Sequence, residues 1–286
     1  LLLIPFFIFG GKTVKIEVLA DFNGEDGRKP MILYEKENAY ILIAQHEHAR
    51  ISGDLMSAWT AWQDQAGNVD PRLGDIIFAA YEHDRSWLDL DSWPLWNDKA
   101  SAPYSFIDFP PKVRFLYYNK GLDEVQSTNG YAALLCSMLY TSLVEKFQDE
   151  DAVQFVNREY DRQNRIKQLF KVDEHQLRKH ISALLLCDGL SLFACMREPG
   201  TPRSEISWFA NGFRYEPQGN KGEEQQLFAD WRGHTEIALD PFPFVQTVDT
   251  VITYKEVSKD NAAALGLEAA YRKAELREHA IRFVSA

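Results

Sequence analysis

The spacing of apolar positions along the chain changes period several times, and each change predicts an element. Residues 31–34 and 39–44 are β-rich runs on either side of the polar turn Glu35-Lys36-Glu37-Asn38, which predicts a hairpin. His48, Ile51, Leu55 and Trp59 then recur at helical spacing, predicting a helix from near Glu47. Asn68-Val69-Asp70-Pro71 breaks that pattern. Asp75 is placed to open a second helix, which ends near His83-Asp84. Residues 86–111 have no period but hold Trp87, Trp93, Trp96, Tyr104, Phe106 and Phe109, so they read either as the wall of a binding site or as a loop packed by its own aromatics. Helical spacing resumes over 111–121, 131–150, 151–170 and 174–196, and the polar composition of 151–170 predicts a solvated face. Beyond Pro199-Gly200, residues 206–215, 225–231, 235–239 and 247–255 are β-rich. An amphipathic helix over 260–278 and a closing strand over 280–284 follow.

These elements imply an α+β fold. A mainly helical body spans about 45–198, an N-terminal β-hairpin precedes it, and a small antiparallel sheet fills about 200–286. Residues 31–286 read as one domain and residues 1–30 as an extension outside its core, with a strand pair through 13–19 as the alternative. The opening run Leu1-Leu2-Leu3-Ile4-Pro5-Phe6-Phe7-Ile8-Phe9 is too short to span a bilayer and lacks a basic leader, so a cytoplasmic protein without a membrane partner is expected. A net charge of −11 over 286 residues argues against nucleic acid and for a small-molecule ligand. Cys136, Cys187 and Cys195 all fall in apolar helical stretches without metal or redox spacing, which predicts buried free thiols.

Against this background, polar groups inside apolar helices stand out. His83-Asp84 closes the run Ile76-Ile77-Phe78-Ala79-Ala80-Tyr81-Glu82. Asp188 has Leu184, Leu185 and Leu192 at helical spacing around it, which puts it on the most apolar face of its helix. A buried carboxylate is costly unless it is paired, protonated or bound to a metal. His48, in Gln45-His46-Glu47-His48-Ala49-Arg50, offers an imidazole from a third element. Imidazole and carboxylate together suit a divalent ion such as zinc, iron or manganese, with His48, His83, Asp84 and Asp188 as its ligands. Simpler roles remain open: a helix end capped by His83-Asp84, a core histidine at 48, and a salt bridge from Asp188 to Arg50 or Arg85. His46 is the competing ligand or a substrate contact.

The order of these residues resembles the HD superfamily of metal-dependent phosphohydrolases: a histidine opening one helix, His-Asp closing another, and an aspartate in a later apolar helix. More closely, the chain resembles a bacterial family of unknown function. It shares the patterns Gln-His-Glu-His-Ala-Arg at 45–50, His-Asp-x-x-Trp at 83–87, Tyr-Ala-Ala-Leu-Leu at 131–135 and Leu-Ser-Leu-Phe at 190–193. The superfamily resemblance implies an HD-like fold and a further histidine near residues 136–140. That stretch holds none, which favours one metal over two.

The chemistry expected of such a site is hydrolysis of a small phosphorylated molecule. Asp84, Glu47 or Glu82 would orient or deprotonate water, Arg50 and Arg85 would neutralise phosphate, and Trp87 would wall the pocket. The alternatives are a non-catalytic ligand- or partner-binding protein on a degenerate HD-like fold, and oxygen chemistry should iron occupy the site. Gly10-Gly11-Lys12-Thr13 lacks the spacing of a phosphate loop and carries no expectation.

Overall fold

The computed structural model describes residues 6–9, 12–15, 29–62, 68–216 and 224–286. Strands β1 (Phe6–Phe9) and β2 (Lys12–Lys15) pair antiparallel in a two-stranded sheet of their own. The side chains of residues 1–30, and with them any burial of Phe6 or Phe7, lie outside the described set, as do residues 16–19 of the alternative strand. β3 (Lys29–Glu35) and β4 (Ala39–Ile43) form the expected hairpin, with Ile32 opposite Ile43 and Glu35 opposite Tyr40. The Lys36 amide donates to Ala39 O at 2.8 Å to close its turn.

Two long helices and a short one follow: α1 (Gln45–Ser57), α2 (Leu73–Glu82) and α3 (Leu88–Asp91). Ala44 cannot cap α1 with its side chain, so the cap comes from a distance. Asp91 Oδ2 accepts from the His46 amide at 3.2 Å. The aromatic segment after α3 contains only the two-residue strands β5 (Trp96–Asn97) and β6 (Ala102–Pro103). Both readings of it hold in part. Trp87 and Phe109 are buried against each other, Trp93 and Trp96 are exposed, and Phe106 reaches the site described below.

α4 (Pro111–Thr128) runs seven residues past its expected end at Gly121. Gly121 is a point of close approach rather than a stop. A Cβ there would lie 2.5 Å from the backbone of Ser86. α5 (Gly130–Val144) is apolar on every side and sits at the centre of the body, whereas the pattern extended it to residue 150. α6 (Glu150–Phe170) is less solvated than its composition suggests. Glu159, Arg162 and Gln163 are buried, and Gln163 donates to Ser137 Oγ and Thr141 Oγ1 of α5 at 3.1 and 3.2 Å. α7 (Glu174–Cys195) matches the expected helix to within a residue, and Asp173 caps it by accepting from the Gln176 amide.

The C-terminal part departs most from expectation. β7 (Phe213–Tyr215) is short because residues 203–212 form turns that seat Phe209 on Phe193 and Phe213. β8 (Gln225–Arg232), β9 (Glu236–Asp240) and β10 (Val248–Ser258) follow. The expected last helix splits at Gly266, whose φ of 80° ends α8 (Lys259–Leu265) before α9 (Leu267–Lys273) begins. β11 (Leu276–Ser285) takes up the remainder. These strands do not form a separate small antiparallel sheet. They join the N-terminal hairpin in one seven-stranded sheet of order β3-β4-β10-β11-β9-β8-β7, with β11 and β9 parallel. The physical reason lies in β4. All five of its residues are buried, so its second edge needs a hydrogen-bonding partner, which β10 supplies. The architecture is mixed α/β, with α1 packed between this sheet and the other helices. Among the described residues, no helix is long and apolar enough to cross a membrane.

Candidate metal centre

Three elements converge on one buried point. His48 lies on the second turn of α1, His83 and Asp84 follow the last turn of α2, and Asp188 lies in the third quarter of α7. Two contacts at glycines set this approach. Gly53 of α1 lies flat on the Tyr81 ring of α2, where a Cβ would come within 2.4 Å. Gly121 receives the Ser86 backbone just beyond Asp84. Both place the His83-Asp84 corner against its neighbours more closely than any larger residue allows.

His48, His83 and Asp188 each present one ligand atom, and these atoms lie within 4.8 Å of one another. His83 Nε2 is 3.2 Å from Asp188 Oδ1, and His48 Nε2 is 3.8 Å from the same oxygen. Asp84 stands beside this triad, with Oδ2 2.7 Å from His48 Nε2 and 3.9 Å from His83 Nε2. Both histidines are at most 2% exposed.

The hydrogen bonds fix which nitrogens face the centre. His83 Nδ1 lies 2.8 Å from Ala80 O, a pure acceptor, so Nδ1 carries a hydrogen and Nε2 is the atom turned to the centre. That Nε2 is buried, and despite its closeness to Asp188 it has no hydrogen-bond partner. His48 Nδ1 lies 2.7 Å from Ser191 Oγ, which itself donates to Asp188 O at 2.8 Å. Ser191 Oγ can thus accept from His48 Nδ1, and Ser52 Oγ also lies 2.8 Å from that hydroxyl. His48 Nε2 lies 2.7 Å from Asp84 Oδ2, a distance that needs a proton or a metal ion between the two atoms. The donor set fits a metal ion. Two imidazoles are oriented by outer hydrogen bonds with their Nε2 atoms inward, and two carboxylates lie beside them.

Electrostatics agree. Among the described residues, no lysine or arginine pairs with Asp84 or Asp188. Burial disfavours the charged form of His83, but Asp84 and Asp188 outweigh it and push the imidazole up to about 9. Burial would raise Asp84, yet His83, His48 and the Tyr140 hydroxyl, which donates to Oδ1 at 3.2 Å, hold it below the usual carboxylate range. The two carboxylates thus favour positive charge beside them, which a protonated His83 or a metal ion supplies.

The centre forms the floor of a cavity of about 90 Å³ whose walls are mostly apolar, with Trp87, Tyr118, Phe147 and Trp208 among them. Of the residues expected in the site, the structure brings together His48, His83, Asp84, Asp188 and Trp87. It places the others elsewhere. Arg50 donates to Glu47, Asp54, Thr250 and Val251 O, tying α1 to β10. Arg85 donates to Glu124 and Glu82, tying the corner to α4. His46 and Glu47 line a separate pocket with Asp91 and Lys255. Three cavity residues carry no expectation from the sequence: Gln45, whose buried Oε1 has no partner, Arg114, whose buried Nε has none, and Tyr140. A signal did exist for the supporting serines. Ser52 follows His48 by four residues and Ser191 follows Asp188 by three, each on the same helix face. The cysteines are buried and free as expected, and burial pushes the Cys195 thiol up to about 12.

No curated protein and no solved structure matches this sequence. Residues 31–259 match the family described as "Protein of unknown function (DUF3891)". That span covers most of the chain and all the residues of the centre, and the protein belongs to this family.

Proposed function

We propose that this protein is a divalent-metal-dependent hydrolase of a small phosphorylated molecule, built on an HD-like centre. The observation that carries the reading is the unpartnered, buried Nε2 of His83 beside the two acceptors His48 Nε2 and Asp188 Oδ1. His48, His83 and Asp188 would hold the ion, with Asp84 alongside. Zinc, iron or manganese suits this donor set, and one site accounts for all of it. The chemistry such an ion supplies is activation of water and polarisation of a phosphoryl oxygen. The chain's own residues contribute position and charge. Asp84, ionised and oriented by Tyr140, is the group able to accept a proton from water. Ser191 and Ala80 O keep both imidazoles turned inward. Gln45 and Arg114 offer unpartnered polar atoms to a substrate, and Trp87 walls the space.

One observation favours a second reading, a protein that binds a ligand without turning it over. Glu47 and Glu82, the other candidate bases, do not line the cavity, which leaves Asp84 already engaged by His48 and Tyr140. Turnover of a panel of phosphate monoesters with added manganese or zinc separates the two. The hydrolase reading predicts metal-dependent turnover that His83→Ala abolishes while the circular dichroism spectrum is unchanged. Stoichiometric metal binding with no turnover across the panel would establish the binding reading instead.

A further inference from the structure

The charged groups of the cavity fall into two sets. At the floor are His48, His83, Asp84 and Asp188. The other charged residue in its wall is Arg114, on the first turn of α4. Its guanidinium carbon lies 5.9 Å from the centre of the Tyr118 ring, which lies 4.2 Å from the Tyr140 ring, whose hydroxyl donates to Asp84. Two aromatic rings thus lie in sequence between the cation and the floor. Arg114 forms no ion pair with any described residue, and its Nε is buried without a partner. Arg114 is half-buried, and a buried Nε–H without an acceptor is costly unless a ligand completes it. The space between the two sets is apolar, formed by Trp87, Phe106, Leu139, Leu143 and Phe147. Its volume of about 90 Å³ is below the ~150 Å³ of a cavity that takes benzene, so the body it admits is no larger than one ring. One arginine and no lysine in the wall give no means of neutralising a polyphosphate.

From these features we infer that the ligand is a small molecule with an anionic group at each end of one aromatic or aliphatic body. One end meets the metal centre and the other meets Arg114. The inner half rests on the metal reading above; the outer half rests on Arg114 alone. Nucleotides carrying a triphosphate are excluded as the preferred ligand.

The test uses the full chain and three non-hydrolysable probes: 4-carboxybenzylphosphonate, benzylphosphonate and the β,γ-methylene analogue of ATP. Each is titrated with and without manganese, by calorimetry and by tryptophan fluorescence. The carboxyl-bearing probe should bind about tenfold or more tighter than benzylphosphonate, the scale of one charge-assisted hydrogen bond. Arg114→Gln should erase that preference, and the nucleotide analogue should bind more weakly than either. A preference that is absent, or that survives in Arg114→Gln, overturns the inference, as does tighter binding of the nucleotide analogue. The two readings fail separately. Manganese binding without the preference defeats only the ligand inference. An Arg114-dependent preference without manganese binding defeats the metal reading, and with it the inner half of the inference, and leaves the Arg114 half standing.

Discussion

Two buried histidine clusters in this molecule differ in how their ring nitrogens are satisfied. His180 lies in α7 eight residues before Asp188. Its Nδ1 meets the Tyr131 hydroxyl at 2.7 Å and its Nε2 meets Asp70 Oδ2 at 3.0 Å. Every polar atom of that ring has a partner, and Trp62 packs on its edge. At the other cluster, His83 Nδ1 meets Ala80 O, its Nε2 has no hydrogen bond although Asp188 Oδ1 is 3.2 Å away, and His48 Nε2 lies 2.7 Å from Asp84 Oδ2. The first cluster is complete without any addition, whereas the second leaves a buried nitrogen without a hydrogen bond. Charge separates them in the same direction: burial holds His180 below the ordinary histidine value, against the pull of Asp70, while the carboxylates raise His83 to about 9. Burial of a histidine therefore says little about its role, and an inventory of its two nitrogens says much more.

Substitutions can break this contrast. The largest effect should come from His83→Ala, which removes a ligand and should weaken metal binding more than ~100-fold by chelator competition, beyond the usual effect of an outer-shell change. His180→Ala should leave metal affinity unchanged. In denaturant unfolding the roles reverse. His180→Ala strands Asp70 and the Tyr131 hydroxyl and should cost about 2–3 kcal/mol. Ser191→Ala tests the orientation of His48, and should lower metal affinity roughly tenfold with little change in fold.

The smallest effect is on pH dependence. His180 stays neutral in the fold, with its pKa below the unfolded value near 6.5. Below that pH the unfolded chain binds the extra proton, so the contribution of His180 is complete above about 6.5 and is lost as pH falls towards the folded value. Urea titrations between pH 5 and 7 should show this slope in metal-free protein, and His180→Asn should flatten it.

Much of this was legible in the sequence. The apolar period located α1, α2 and α7, and the cost of a carboxylate at Asp188 pointed to a partner. The convergence of His48, His83, Asp84 and Asp188 follows from that cost. The sequence hid contacts that depend on close packing between elements. Gly121 reads as a helix stop, but Ser86 packs where its side chain would be. The buried polar residues of α6 read as solvated until Asp123 and Gln126 of α4 are seen bonding Arg162. Arg50 and Arg85 adjoin the ligands in sequence, but near acids claim both. Arg114 lies 30 residues beyond Asp84, on the first turn of α4, and no local spacing ties it to the cavity.

Whether the bare nitrogen of His83 marks a metal centre is decided by elemental mass spectrometry of the purified protein, with Asp188→Asn alongside. One zinc, iron or manganese per chain, lost in the variant while the fold is retained, is the predicted result. No metal in the protein as purified, and none taken up on addition of these ions, would contradict it.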